Sequence, residues 1–256
     1  MPQSADSLVV ISHYDAHGAD EPLRLFKELE AHDAGASYDV LIVVNQSQTN
    51  AFAPAGLSRT IRILHRENIG FNVGAWQHGW RSTPGYDFYL FLQDECVINR
   101  PGWLAAFRRA AAQPNTGFVG ESMIHTGLWE TYARSFSDTE KACRRIAGDL
   151  GVDLGAKADH LQTLAIGANH STLQSTGGFI AQFDKVDAMA GEVLTSVRAT
   201  AMGLKNRQVA WRPFEFIRHP QWDSLRKASA RPAWSVSRAL HLWAPARLND
   251  FIPRQT

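Results

Sequence analysis

The chain has 256 residues, 45% of them hydrophobic, and its 26 Lys and Arg against 25 Asp and Glu leave a net charge of +1. That length and apolar content supply the core of one large α/β domain or two small ones and exclude a wholly disordered chain. The balanced charge excludes a global electrostatic footprint for nucleic acid, and two cysteines, Cys96 and Cys143, exclude a disulfide framework or a four-cysteine zinc site.

In chain order, Leu8-Val-Val-Ile-Ser is a β-branched run, and Glu21 to Ala34 carries apolar residues at helical spacing. Asp39 to Asn45 and Thr60 to Leu64 read as further strands, and a helix over Asn72 to Trp80 opens beside a glycine segment. Tyr86 to Leu92 is nearly continuous in apolar residues, as expected of a strand covered on both faces, and Pro101 to Ala112 follows as a helix. Beyond it, Gly117 to Gly120 reads as a strand, Ser137 to Leu150 as a charged helix, Leu173 to Ala181 as a turn entering a strand, and Val186 to Gly203 as a helix. The alternation predicts an α/β fold, a mostly parallel central sheet with helices on both faces, whose ligand lies beyond the carboxyl ends of the strands. The expected organisation is one domain over 1–223, with a first half to about 115 and a second over 116–223. The 224–256 tail interleaves six Lys and Arg with Trp234, Trp243 and Phe251, which suits either packing on the main domain or peripheral contact with an anionic membrane surface.

No uninterrupted apolar run reaches the ~18 residues needed to span a bilayer, and the first residues lack the basic and apolar regions of a secretion signal. The expectation is a cytoplasmic chain.

The densest chemistry lies at Gln93-Asp-Glu95, where the fourth predicted strand ends in adjacent carboxylates. Mg²⁺ or Mn²⁺ takes oxygen ligands and is commonly held by one or two carboxylates, with substrate phosphates and water filling its other positions. Asp94 and Glu95 fit that requirement. Just upstream, Gly70 and Gly74 permit positive φ or close backbone approach, the Asn68 and Asn72 amides can reach a ribose or sugar hydroxyl, and Arg66 can meet a phosphate or sugar oxygen. Trp76, Trp80 and Trp129 can stack on a sugar ring but are expected in the core. His125 and His170 lie in the second half without metal-ligand spacing.

These segments, in this order, resemble the family 2-type glycosyltransferases of the GT-A fold, which use nucleotide-diphosphate sugars. The matching residues are Ser12-His-Tyr-Asp15, Asn45-Gln-Ser47, Asn68 to Gly74 and Gln93-Asp-Glu95. The resemblance implies that Tyr14, Asn45 and Ser47 face the nucleobase side of the donor and that Gln93, Asp94 and Glu95 face the metal and diphosphate. Two positions depart from the pattern: Gln93 replaces the first acid of Asp-x-Asp, and Asn45 replaces a base-binding aspartate. Further along, Thr176-Gly177-Gly178-Phe-Ile is similar to the segment lining the sugar and acceptor crevice. Gly191-Glu-Val-Leu-Thr-Ser-Val-Arg198 is similar to the helix start that carries the catalytic base, which puts Glu192 in that role, and His219 resembles a late metal or diphosphate ligand. The resemblance implies that 1–223 is a catalytic domain, nucleotide-binding to about 115 and acceptor-side over 116–223, with metal-dependent, inverting transfer of a sugar to a hydroxyl of a glycan or lipid-linked glycan in bacterial surface polysaccharide synthesis. Two rival readings are a sugar nucleotidyltransferase, disfavoured by the lack of a basic glycine-rich loop after the first strand, and a non-catalytic sugar-nucleotide or glycan binding module.

Overall fold

The structure, a computed structural model, describes residues 6–46 and 61–220; Ser47 and the 224–256 tail lie outside them. The first half runs β1 (Ser7–Tyr14), α1 (Asp20–Ala31), β2 (Asp39–Gln46), β3 (Ile61–Glu67), α2 (Phe71–Ser82), β4 (Phe88–Gln93), β5 (Val97–Ile98) and α3 (Trp103–Ala111). The remainder runs β6 (Thr116–Gly120), β7 (Met123–Ile124), α4 (Trp129–Ser135), α5 (Ser137–Leu150), β8 (His160–Leu161), β9 (Ala165–Asn169), α6 (His170–Thr176), α7 (Lys185–Ala201), β10 (Lys205–Gln208) and β11 (Ile217–Arg218).

Seven strands form the central sheet in the order β10-β6-β9-β4-β1-β2-β3, and every neighbouring pair is parallel except those of β9, which runs antiparallel to both β4 and β6. Alternate residues of the central strands go to opposite faces. Val9, Ile11, Val40, Ile42, Leu90 and Leu92 pack under α1 and α3, whereas Leu8, Val10, Leu41, Val43, Tyr89 and Phe91 pack under α2 and Phe179. A third cluster joins Trp129 and Tyr132 of α4, Cys143 and Ile146 of α5, and Val193, Leu194 and Val197 of α7. Burial on both faces is why β1, β2 and β4 are legible as apolar runs.

β9 is different. Its sequence, Ala-Ile-Gly-Ala-Asn, carries little strand signal, yet the sheet needs small residues there, because a Cβ on Gly167 would come within 2.6 Å of the Phe88 ring. The expected strand after Leu173 is also absent. Residues 170–176 are helical, and consecutive left-handed glycines, Gly177 at φ 75° and Gly178 at φ 79°, then turn the chain. Side chains, not a neighbouring strand, satisfy the backbone that follows: Phe179 N donates to Gln77 Oε1 at 2.8 Å and Ile180 N to Thr195 Oγ1 at 3.1 Å. Among the described residues, no helix is long and apolar enough to cross a membrane.

Candidate active site at the carboxyl edge of the sheet

The turn after β4 is held on all sides. Asp94 N donates to Ser12 O at 3.2 Å, Cys96 N to Gln93 O at 3.0 Å, and Arg24 Nη2 to the carbonyls of Glu95 and Cys96 at 3.0 and 3.1 Å. The Asp94 carboxylate is buried, with Oδ2 at 2.6 Å from His13 Nδ1 of β1. Glu95 points elsewhere: its Oε2 lies 2.9 Å from Nε2 of the buried His219, and this imidazole holds the carboxyl below the usual range. His219 directly follows β11, which pairs antiparallel with β5. Buried Glu121 anchors that strand by accepting from Ile217 N at 2.7 Å and Phe216 N at 3.2 Å.

The glycine segment forms the turn into α2. Gly70 takes φ 77° as the N-cap and Phe71 follows at φ 52°. A Cβ on Gly74 would lie 2.1 Å from Ile69 O, so only glycine closes this turn. Arg66 and Asn45 build it: Arg66 Nη2 donates to Ile69 O at 2.6 Å and Nη1 to Asn45 Oδ1 at 3.2 Å, while Asn45 Nδ2 donates to Phe71 O at 3.1 Å. Desolvation lowers the Arg66 pKa. The buried amide expected to meet a nucleobase thus already has a protein partner on each of its polar atoms. Tyr14 sits opposite Asn45 in the β1–β2 register, half-buried and edge-on to His17. Asn68 is exposed and Asn72 half-buried.

The second half of the chain closes directly on this turn. A Cβ on Gly70 would meet Ala181 Cβ at 3.1 Å and Gln182 O at 3.3 Å, and one on Gly191 of α7 would meet Ile180 O at 2.1 Å. Residues 180–182 therefore run between the donor-side turn and the helix of Glu192. Thr176 is the last residue of α6 and Gly177 its C-cap, and the carbonyls of Gly177 and Gly178 accept from Gln77 Nε2 and Arg198 Nη2.

Glu192 is half-buried, and Thr163 Oγ1 donates to its Oε2. Desolvation pushes its carboxyl up to about 7, with the Thr163 bond acting in the opposite sense. Such a carboxyl is poised to accept a proton near neutral pH. Thr163 O in turn accepts from Gln93 Nε2 at 2.8 Å, which ties the base candidate to the acidic end of β4.

Of the residues expected to hold a divalent cation, Asp94 pairs with His13 and Glu95 with His219. Among the described residues no three His, Cys, Asp or Glu side chains converge as a ready cage. That donor set suits a cation held largely by substrate phosphates. Trp76, Trp80 and Trp129 are core residues, with Trp76 Nε1 donating to Leu92 O and Trp129 Nε1 to Leu154 O. His125 is exposed beside Asp159, and His170 stacks on Tyr89. His13, Arg24 and Thr163 escaped the sequence reading. Only His13 carried a signal, a polar residue at the tip of a buried strand.

No protein-family profile and no curated protein matches the sequence. Solved structures do match the fold. A mannosyltransferase from Pyrobaculum calidifontis, in complex with GDP-Man and Mn²⁺, superposes with a TM-score of 0.50 at 13% identity, covering 95% of this chain and 70% of that one. A Drosophila β-1,4-galactosyltransferase 7 mutant complexed with manganese, UDP-Gal and xylobiose gives 0.49 at 9% identity, covering 91% and 79%. The bifunctional glycosyltransferase WbbM gives 0.43 at 12% identity over 77% and 38%. The chain has the GT-A fold of nucleotide-sugar glycosyltransferases.

Proposed function

We propose that this protein is a glycosyltransferase that moves a sugar from a nucleotide-diphosphate donor to a hydroxyl of a glycan or lipid-linked glycan, in the assembly of bacterial surface polysaccharide. The observation that carries the reading is the placement of Glu192, a half-buried carboxyl joined through Thr163 to Gln93 at the end of β4. The fold shared with the mannosyltransferase supports it.

In the proposed reaction Glu192 takes the proton from the acceptor hydroxyl as that oxygen bonds to the anomeric carbon. The bond from that carbon to the diphosphate oxygen breaks on the opposite face, giving inversion, and the nucleoside diphosphate leaves with the electron pair. The turn of Asn68, Gly70, Asn72 and Gly74 binds the donor, with Tyr14 on the nucleobase side and Thr176 to Gly178 on the acceptor side. Asp94, Glu95 and His219 would hold Mn²⁺ or Mg²⁺, which spreads the charge of the departing diphosphate when bound. Asp94 enters this role already oriented by His13.

A panel of nucleotide sugars with glycan acceptors tests the reading. Release of nucleoside diphosphate that needs both cation and acceptor, and disappears in Glu192→Gln, is the expected result. The absence of the first acid at Gln93 favours one rival, a binding module without turnover. Saturable donor binding with no release under any acceptor would establish that rival.

A further inference from the structure

Gln93 occupies the place of the first acid in the Asp-x-Asp pattern, and the structure gives its amide a definite partner. Nε2 donates to Thr163 O at 2.8 Å, while the backbone N–H of Gln93 donates to Leu164 O at 3.1 Å. A carboxylate at this position would face the Thr163 carbonyl with no proton between two acceptors. The turn between β8 and β9 is thereby pinned to the end of β4. From that turn the Thr163 hydroxyl reaches the Glu192 carboxylate on α7.

We propose that Gln93 and Thr163 are positioning residues that set the Glu192 carboxylate relative to the acidic end of β4, so that an amide in place of the first acid links the donor side of the site to its base. The inference rests on the reading of Glu192 as the base. The contacts are long-range in sequence and run in series: strand end to turn, turn to helix. Losing either link frees Glu192 to take other rotamers, and positioning errors at a reacting group slow the chemical step more than they weaken binding. The hydroxyl also favours the ionised carboxylate. Among the described residues, Tyr132 of α4 is a titratable group in electrostatic contact with Glu192, and burial raises its pKa so that it stays protonated across the working range.

The test uses the full chain with Thr163→Val, which removes the hydroxyl at nearly constant shape, Thr163→Ser, which keeps it, and Gln93→Glu, which replaces the amide donor by an acceptor at the same length. The Glu192 titration is followed by ¹³C NMR of its carboxyl, alongside the pH profile of kcat. Thr163→Val is expected to raise the Glu192 pKa by about one unit. It should also lower kcat at neutral pH about tenfold with the donor KM unchanged. Thr163→Ser should restore both. Gln93→Glu should lower kcat comparably, and its combination with Thr163→Val should fall short of the product of the two, as expected of links in one chain. A Thr163→Val protein with the parent titration and kcat, or a Gln93→Glu protein that gains or keeps turnover, overturns the inference. Should Thr163→Val fail to fold, Thr163→Ala replaces it with the same expectations. Full turnover in Glu192→Gln would instead overturn the base assignment itself, whatever the Thr163 variants do.

Discussion

His13 Nδ1 lies 2.6 Å from Asp94 Oδ2, so the penultimate residue of β1 grips the first acid beyond β4 across a parallel pair. Both side chains are buried, and an imidazole N–H donated to the carboxylate fixes its orientation. His13→Phe, which keeps the ring volume and loses the donor, should weaken Mn²⁺ binding in the presence of nucleoside diphosphate by about 10- to 100-fold, measured by calorimetry. His13→Asn should recover most of the affinity. Equal affinity in all three proteins would mean that the pair serves packing alone.

Asp94 and Glu95 lie on a turn whose backbone is held by main-chain hydrogen bonds and by Arg24, independently of their carboxylates. Asp94→Ala should reduce turnover by at least about a hundredfold, since charge stabilisation of a leaving diphosphate is worth several kcal/mol. Chelation of divalent cations should do the same to the parent protein, with recovery on adding Mn²⁺ or Mg²⁺. Normal nucleoside diphosphate release by Asp94→Ala would refute the donor assignment.

Burial lifts the Glu192 carboxyl to about 7, and a base works only in its ionised form. The rate of transfer at low acceptor concentration should therefore fall as pH drops through about 7 and level off above it. A steady-state pH profile checks the direction. A rate that is flat across this range, or that rises on acidification, would exclude Glu192 as the group that takes the proton.

Glu121 is almost fully buried, and desolvation pushes its carboxyl from 4.5 up to about 8 despite the amides of Phe216 and Ile217 that it accepts. Between those values the unfolded chain has released a proton that the folded protein still binds. Stability from this group is complete below 4.5 and is lost as pH rises toward and through about 8. Glu121→Gln keeps an acceptor oxygen and removes the titration. Its melting temperature should decline less than that of the parent between about pH 5 and about pH 8.5, ending a few degrees higher. Parallel curves for the two proteins would contradict the assignment.

The apolar runs of β1, β2 and β4 declared a sheet covered on both faces, because each strand buries all its neighbours in sequence and needs no distant partner to announce itself. Gly70 and Gly74 likewise announced a turn that only glycine can close, and Gln93-Asp-Glu95 marked the strand end where an anionic ligand would be met. Such features are local, written in periodicity and residue type. What tertiary structure alone decided is who meets whom: β9 entering between β4 and β6, Asn45 and Arg66 turning inward to build the α2 entry, His219 brought to Glu95 by β11, and Thr163 set between Gln93 and Glu192. Hydrogen bonds and ion pairs between residues tens of positions apart leave no period in a sequence. They exist only once burial of the sheet has brought those segments to the same edge.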